Sequence, residues 1–405
     1  MTTRLLLFLI LITGCNLFPC TTVLVSGKAT PDGRPLLLKN RDSDEIRNRL
    51  LFFKDGKYTY YGLVNSKDLD GKEVWGGFNS AGFAIINSAS YNLKINDTSK
   101  LADREGIVMK LALQQCATLE DFEQLLFQLP KPMGVEANFG VIDAMGGAAY
   151  YETDNYTFRK FDVNDPTVAP DGYLIRTNYS VCGLAGDGMG HIRYETTVAY
   201  LQEQFDDQKL DFNDLITELP RLLRHSLTRT DLNTIMPVNR KDTTFVWFQD
   251  YIPRMSTASA IVIQGIREGI SADQNTMWIV NGFPLTSVAI PVWFDPEGKL
   301  PAILTGDEKG LSKLSEYSLQ LKEQMCPSEK GIGSKYLNLA LLHNAEGSGF
   351  RQILGKAENQ IIADGVSLQN LMYREGYKPD AVATYYNKVS DLLESVYQSV
   401  LKSMQ

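Results

Sequence analysis

Apolar and β-branched residues run from Thr21 to Ser26, turn residues crowd Gly27 to Arg34 around Pro31-Asp32-Gly33, and Pro35 to Lys39 resumes the apolar pattern. That is a β-hairpin, and it returns Lys39-Asn40-Arg41-Asp42 towards Cys20. A second pair, Val74 to Phe78 and Phe83 to Ser88, flanks the turn Asn79-Ser80-Ala81-Gly82 and puts Asn87 near a strand end. Helical spacing follows over Leu101 to Cys116 and Thr118 to Leu129, with Thr118 as a cap, Asp121 in the first turn, and Pro130 and Pro132 as the stop. Strands are predicted again at Ala137 to Ile142, Ala148 to Glu152 and Tyr173 to Thr177, then helices at Arg193 to Gln204 and Phe212 to Leu219. The last strands are Ser259 to Gln264, Thr276 to Asn281 and Ser287 to Val292. Leu311 to Cys326, Tyr336 to Leu342 and Ala381 to Lys402 read as a helical tail. Strand groups alternating with helix pairs predict stacked sheets covered by helices.

Strand periodicity also sorts the charged run. Lys39 and Arg41 share one face of their strand, Asn40 and Asp42 the other. Asp42 at a strand end is a candidate site residue or a cap for the next element. The aromatic cluster Phe52, Phe53, Tyr58, Tyr60 and Tyr61 fits core filling better than the lining of a pocket.

The first nineteen residues stand apart. Arg4 precedes an apolar centre from Leu5 to Ile12, the form of an export leader, and the stretch is short of the ~20 residues a span needs. An exported protein is expected, whether periplasmic, lipid-anchored or secreted. Ile12-Thr13-Gly14-Cys15 resembles a bacterial lipobox, which makes Cys15 a candidate lipid anchor. Pro19 is a poor residue before a signal-peptidase cut, so a second step at Cys20 is expected: an N-to-S acyl shift by Cys20 itself, or trimming of Asn16 to Pro19 by another protease. With Cys20 at a new terminus, one residue carries a thiol and a free α-amine, a nucleophile with its own general base. Such an amine titrates near pH ~7.7 to 8.0 and accepts a proton at neutral pH.

Composition narrows the rest. The chain has 405 residues, 44% hydrophobic and 22% charged, enough for a large core. A net charge of -8 without a basic stripe excludes a nucleic-acid partner. Cysteines at 15, 20, 116, 182 and 326 show neither zinc nor disulfide spacing, and Cys116 and Cys182 fit small core residues. His191, His225 and His343 lack ligand spacing, so neither metal nor cofactor is expected. Lys330-Gly331-Ile332-Gly333-Ser334 lacks the full phosphate-loop pattern and reads as a loop.

Several motifs in order carry a family resemblance: Cys20-Thr21-Thr22 after a leader, Asn40-Arg41-Asp42, Gly77-Phe78-Asn79-Ser80-Ala81-Gly82, Thr177-Asn178, and Trp278-Ile279-Val280-Asn281-Gly282. Together, from Cys20 to about Trp293, they resemble the N-terminal-nucleophile amidohydrolases. Within these the chain is most similar to the acyl-coenzyme A:6-aminopenicillanic acid acyltransferase-like linear amide hydrolases, relatives of choloylglycine hydrolases and penicillin V acylases. The resemblance implies an α+β fold, an αββα four-layer sandwich of two mainly antiparallel sheets. It also implies hydrolysis of a small N-acyl amide through an acyl-enzyme on Cys20. Asp42 matches the aspartate beside the nucleophile, and Asn178 an asparagine that holds the oxyanion. Asn87 matches a second oxyanion partner, and Arg193 an arginine near the nucleophile. Relatives often have arginine at the position of Lys39; Lys39 is therefore set aside, with Arg41 supplying a guanidinium instead. Asn178-Tyr179-Ser180, Asn96-Asp97-Thr98 and Asn155-Tyr156-Thr157 also read as glycosylation sequons. The expected organisation is a leader over 1–19, a catalytic domain over 20–300 and a helical extension over 301–405 packed on the same domain. A homo-oligomer stays open, as do two other functions: an acyltransferase passing the same acyl group to an amine, and a lipid-anchored binding lipoprotein with an inert Cys20.

Overall fold

The computed structural model describes residues 20–94, 97, 99, 103–205, 209–327 and 333–404. The leader with Cys15, the expected helix start at Leu101, Asn96 and Thr98 of one sequon, and Lys330 to Ile332 lie outside the described residues.

Two antiparallel sheets hold the strands. The six-stranded sheet takes β1 (Thr21–Val25), β2 (Leu36–Asp42), β10 (Tyr173–Arg176), β14 (Thr257–Gln264), β15 (Thr276–Asn281) and β16 (Ala289–Trp293), in the order β10-β1-β2-β14-β15-β16. The seven-stranded sheet runs in chain order: β3 (Asn48–Phe53), β4 (Tyr60–Asn65), β5 (Gly77–Asn79), β6 (Ala84–Ala89), β7 (Ala137–Ile142), β8 (Ala148–Thr153) and β9 (Phe158–Asp162). Short ribbons pair β11 (Arg224–His225) with β12 (Thr230–Asp231), and β13 (Phe245–Trp247) with β17 (Tyr336–Asn338). The helices are α1 (Glu105–Gln115), α2 (Leu119–Gln128), α3 (His191–Gln204), α4 (Phe212–Thr217), α5 (Lys313–Met325), α6 (Leu339–Leu342), α7 (Phe350–Glu375) and α8 (Pro379–Lys402).

Period-2 alternation sends each strand's apolar side chains to two cores. Leu24 and Leu37 meet Phe78, Ile86 and Tyr150 between the sheets. Val23, Leu36, Leu38 and Val262 point the other way, under Tyr200 and Leu201 of α3 and Leu215 and Ile216 of α4. Phe83, Ile85 and Phe139 leave the outer face of the second sheet to meet Met109 of α1 and Phe122 of α2. The layers are thus helix, sheet, sheet, helix, the α+β sandwich expected from the sequence. Phe52 and Tyr61 pack with the inter-sheet core and Phe53 and Tyr60 with the one under α1, so these four aromatics are packing, whereas Tyr58 is only partly buried.

Some elements depart from the sequence reading. Tyr336 to Leu342 is not one helix: Tyr336–Asn338 pairs with β13, and only the last four residues are helical. The longest helix among the described residues, α7, lies where the sequence pattern predicts none. Its buried face includes Glu358, Gly365 and Gln369 among Leu354 and Ile361, which breaks the hydrophobic period. Cys116 is a buried core residue as expected, whereas Cys182 is only partly buried, and both are free thiols. Among the described residues no helix is long and apolar enough to cross a membrane.

Candidate active site

Cys20 immediately precedes β1, and only 6% of it is exposed. The register sets Thr21 opposite Asn40 and Thr22 opposite both Lys39 and Arg176, so β2 and β10 flank the strand that follows the cysteine. Its Sγ lies 3.9 Å from the carbonyl oxygen of Asp42. Beside it opens a cavity of about 610 Å³, walled by Cys20, by Lys39, Arg41 and Asp42 of β2, by Asn87 of β6 and by Trp75 from the segment before β5, among others.

The two faces of β2 divide the chemistry as alternation requires. On the outer side, Asn40 donates to the carbonyl of Ile252 at 2.9 Å, and Asp42 meets Arg254, whose Nε and Nη2 reach Oδ2 at 3.0 and 2.7 Å. The Thr257 hydroxyl donates to the other carboxylate oxygen. Lys322 of α5 steadies this loop by donating to the carbonyl of Met255, and burial lowers the Lys322 pKa to about 8.

On the inner side, Lys39 donates from Nζ to the carbonyl of Trp75 at 2.8 Å and to Oδ1 of Asn87 at 2.5 Å. An ammonium cannot accept, so Lys39 fixes the orientation of the Asn87 amide. The Asn87 nitrogen then donates to Oε2 of Glu105 at 2.5 Å. Burial, then repulsion from Asp103, holds the Glu105 carboxyl well above the ordinary range. Burial lowers Lys39 to about 8 against the opposing pull of Cys20, and Arg41 to about 10. Arg41 donates to the side-chain oxygens of Asn48 at 3.0 Å and Asn65 at 2.8 Å. Its guanidinium lies 5.0 Å from the centre of the Trp75 ring.

Arg193 reaches the backbone of Cys20 from α3. Nη1 donates to the carbonyl of Cys20 at 2.6 Å and to the Thr21 hydroxyl at 2.7 Å, while Nη2 donates to Oδ1 of Asn178 at 2.9 Å. Gly190 caps the helix at φ 87, a left-handed conformation that suits glycine. Asn178 is fully buried, and its nitrogen donates to the carbonyl of Ala89 at 2.8 Å. Its side chain is therefore committed inside the protein, and the sequon reading fails there for want of exposure. Asn155 is also buried, at 2% exposure.

Cys20, Asp42, Arg41 and Asn87 thus line one cavity, while Arg193 and Asn178 stand behind its wall and connect to Cys20 through the guanidinium. Lys39, set aside on sequence grounds, is on the cavity wall; an isolated lysine ending the run Leu36-Leu37-Leu38 was its signal. Trp75, Glu105, Arg254 and Thr257 went unnoticed because they sit in no motif and come from distant elements. Among the described residues, no group of three or more His, Cys, Asp or Glu side chains is placed to hold a metal ion.

No protein-family model matches the sequence, and no curated protein matches it. Among solved structures the chain is similar to a Caenorhabditis elegans ortholog of N-acylethanolamine-hydrolyzing acid amidase, at 15% identity and a TM-score of 0.37, over 50% of this chain and 87% of that one. It is similar to penicillin V acylase from Agrobacterium tumefaciens at 10% identity and a TM-score of 0.34, over 68% and 86% of the two chains. Conjugated bile acid hydrolase from Clostridium perfringens is similar at 14% identity and a TM-score of 0.38, over 68% and 92%. Likeness at this level carries no functional weight.

Proposed function

We propose that this protein is an exported cysteine amidohydrolase of the N-terminal-nucleophile type, which cleaves a linear, non-peptide N-acyl amide. One observation carries the reading: a nearly buried thiol immediately before a sheet strand, opening onto a cavity, with Asp42 fixed beside it by Arg254 and its own carbonyl fixed by Arg193. Once the segment before Cys20 is removed, the α-amine accepts the thiol proton and Sγ attacks the amide carbonyl. The ammonium so formed passes its proton to the departing amine as the carbon-nitrogen bond breaks. Water then attacks the thioester, the acid leaves and the thiol is restored. Asn87 supplies an amide to the developing oxyanion from the cavity wall: the group carries two N–H donors, and one of them is committed to Glu105. Asn178 keeps Arg193, and through it the start of β1, in place, and is the second candidate for the oxyanion.

Amino-terminal sequencing and intact mass of the protein recovered from its producing cells, followed by a panel of N-acyl amides, test the reading. A chain starting at Cys20 that hydrolyses amides is expected, and Cys20→Ala should lower the rate by roughly 10⁴-fold or more. Retention of Pro19 on an active enzyme refutes the mechanism. Products formed with added amines separate hydrolysis from acyl transfer.

A further inference from the structure

The cavity holds two buried cations with no anion bound to them. Every hydrogen bond formed by Lys39 and Arg41 among the described residues ends on a neutral oxygen, the carbonyl of Trp75 and the amides of Asn87, Asn48 and Asn65. Both residues are nearly inaccessible to solvent, at 1% and 3% exposure. A charge withdrawn from water is costly unless an opposite charge meets it. Carboxylates act on both cations without hydrogen-bonding to them, Asp44, Glu45 and Asp42 on Arg41 and Glu105 and Asp103 on Lys39, and Glu105 is driven towards its uncharged form. Both cations lie against Trp75, whose ring centre is 5.8 Å from Lys39 Nζ and 5.0 Å from the Arg41 guanidinium. Its indole N–H is buried and without a partner among the described residues, and the residue lines the cavity. The remaining wall mixes apolar and charged groups. Ala89, Tyr91 and Val135 are accompanied by Asp44, Glu73 and Asp103. A long hydrocarbon chain would bury these polar groups without satisfying them.

We propose that the substrate amide carries a carboxylate near its scissile carbonyl, seated against Lys39, Arg41 and the Trp75 N–H, so that the enzyme acts on small anionic acyl amides rather than on long-chain ones. This rests on the amidohydrolase reading for turnover, but not for binding. Arg41 brings a planar, charge-assisted donor pair, and Lys39 a point charge beside the thiol.

Two measurements on the protein recovered from full-chain expression test it. The first compares alkylation of Cys20 by iodoacetate and iodoacetamide, with the site confirmed by peptide mass. Iodoacetate differs in carrying a carboxylate, so its rate relative to iodoacetamide should exceed the ratio shown by free cysteine by roughly 10- to 100-fold. Arg41→Met should bring that ratio back towards the free-thiol value. The second compares glutaryl and pentanoyl anilides, which match in length, and expects a preference of similar size for the glutaryl compound. A free-thiol ratio with wild type, or a preference for the pentanoyl substrate, overturns the proposal. If neither anilide is cleaved while the iodoacetate preference persists, the anion site stands and the amidohydrolase reading falls.

Discussion

Two residues three positions apart on one strand show how burial sets chemistry. Asp42 meets two donors of Arg254, whereas Lys39 has only neutral acceptors. Lys39 loses its proton near pH 8 in the folded protein instead of its ordinary 10.5, because burial outweighs the pull of Cys20, Glu105 and Asp103 and is aided by Arg41. Between these values the unfolded chain binds more protons than the native state, so stability rises with pH across the window. The destabilisation from this lysine is full below about pH 8 and gone by 10.5. The iodoacetate preference should fall as pH passes 8, and Lys39→Arg should hold it to higher pH; a pH series of alkylation rates checks both. Asn87→Ala and Asn178→Ala should each lower kcat by ~10² to 10³-fold if the amide holds the oxyanion. An effect confined to KM argues for substrate positioning instead. Cys20, Asp42, Asn178 and Arg193 were legible as candidates because they fall in ordered motifs. Arg254 was not, since only the pairing of β2 with β14 brings it to Asp42.

At the scale of elements, the strands that carry the candidates were legible because alternation and turn chemistry act locally. The helix α7 was not, because its buried polar residues are satisfied by partners far away in sequence. Gly190 is the element-level control on the site. A β-carbon there would come within 3 Å of Thr177 and press on the Arg193 guanidinium. Gly190→Ala should therefore cost activity through Arg193 more than Thr118→Ala does through α2. Thr118 accepts from the Asp121 amide while the Asp121 carboxylate accepts from the Thr118 amide. Its loss should cost about 1 kcal/mol of stability and leave kcat unchanged. Denaturant melts beside steady-state kinetics distinguish the two effects.

Across the whole molecule, a buried ion cluster ties the C-terminal helices to the first sheet. Glu358 of α7 accepts from Arg221 and from the Ala289 amide at 2.7 and 2.6 Å, and Arg351 meets its other oxygen. Burial pushes its carboxyl up, but Arg221 and Arg351 pull it further down, and the net is below the ordinary 4.5. The stability this adds is present above about pH 4.5 and lost as pH falls through the lower folded value. Glu358→Gln should cost roughly 3 to 5 kcal/mol at pH 7, and the gap from wild type should narrow in acid, as read by urea unfolding. The same long-range order has a consequence for synthesis. The second sheet is threaded entirely between β2 and β10, and a partner that holds Asp42 beside Cys20, the Thr257 hydroxyl, lies 215 residues downstream. Contacts of that separation form late. A nascent or truncated chain that ends before Arg254 carries the thiol but neither of the side chains that hold the Asp42 carboxylate.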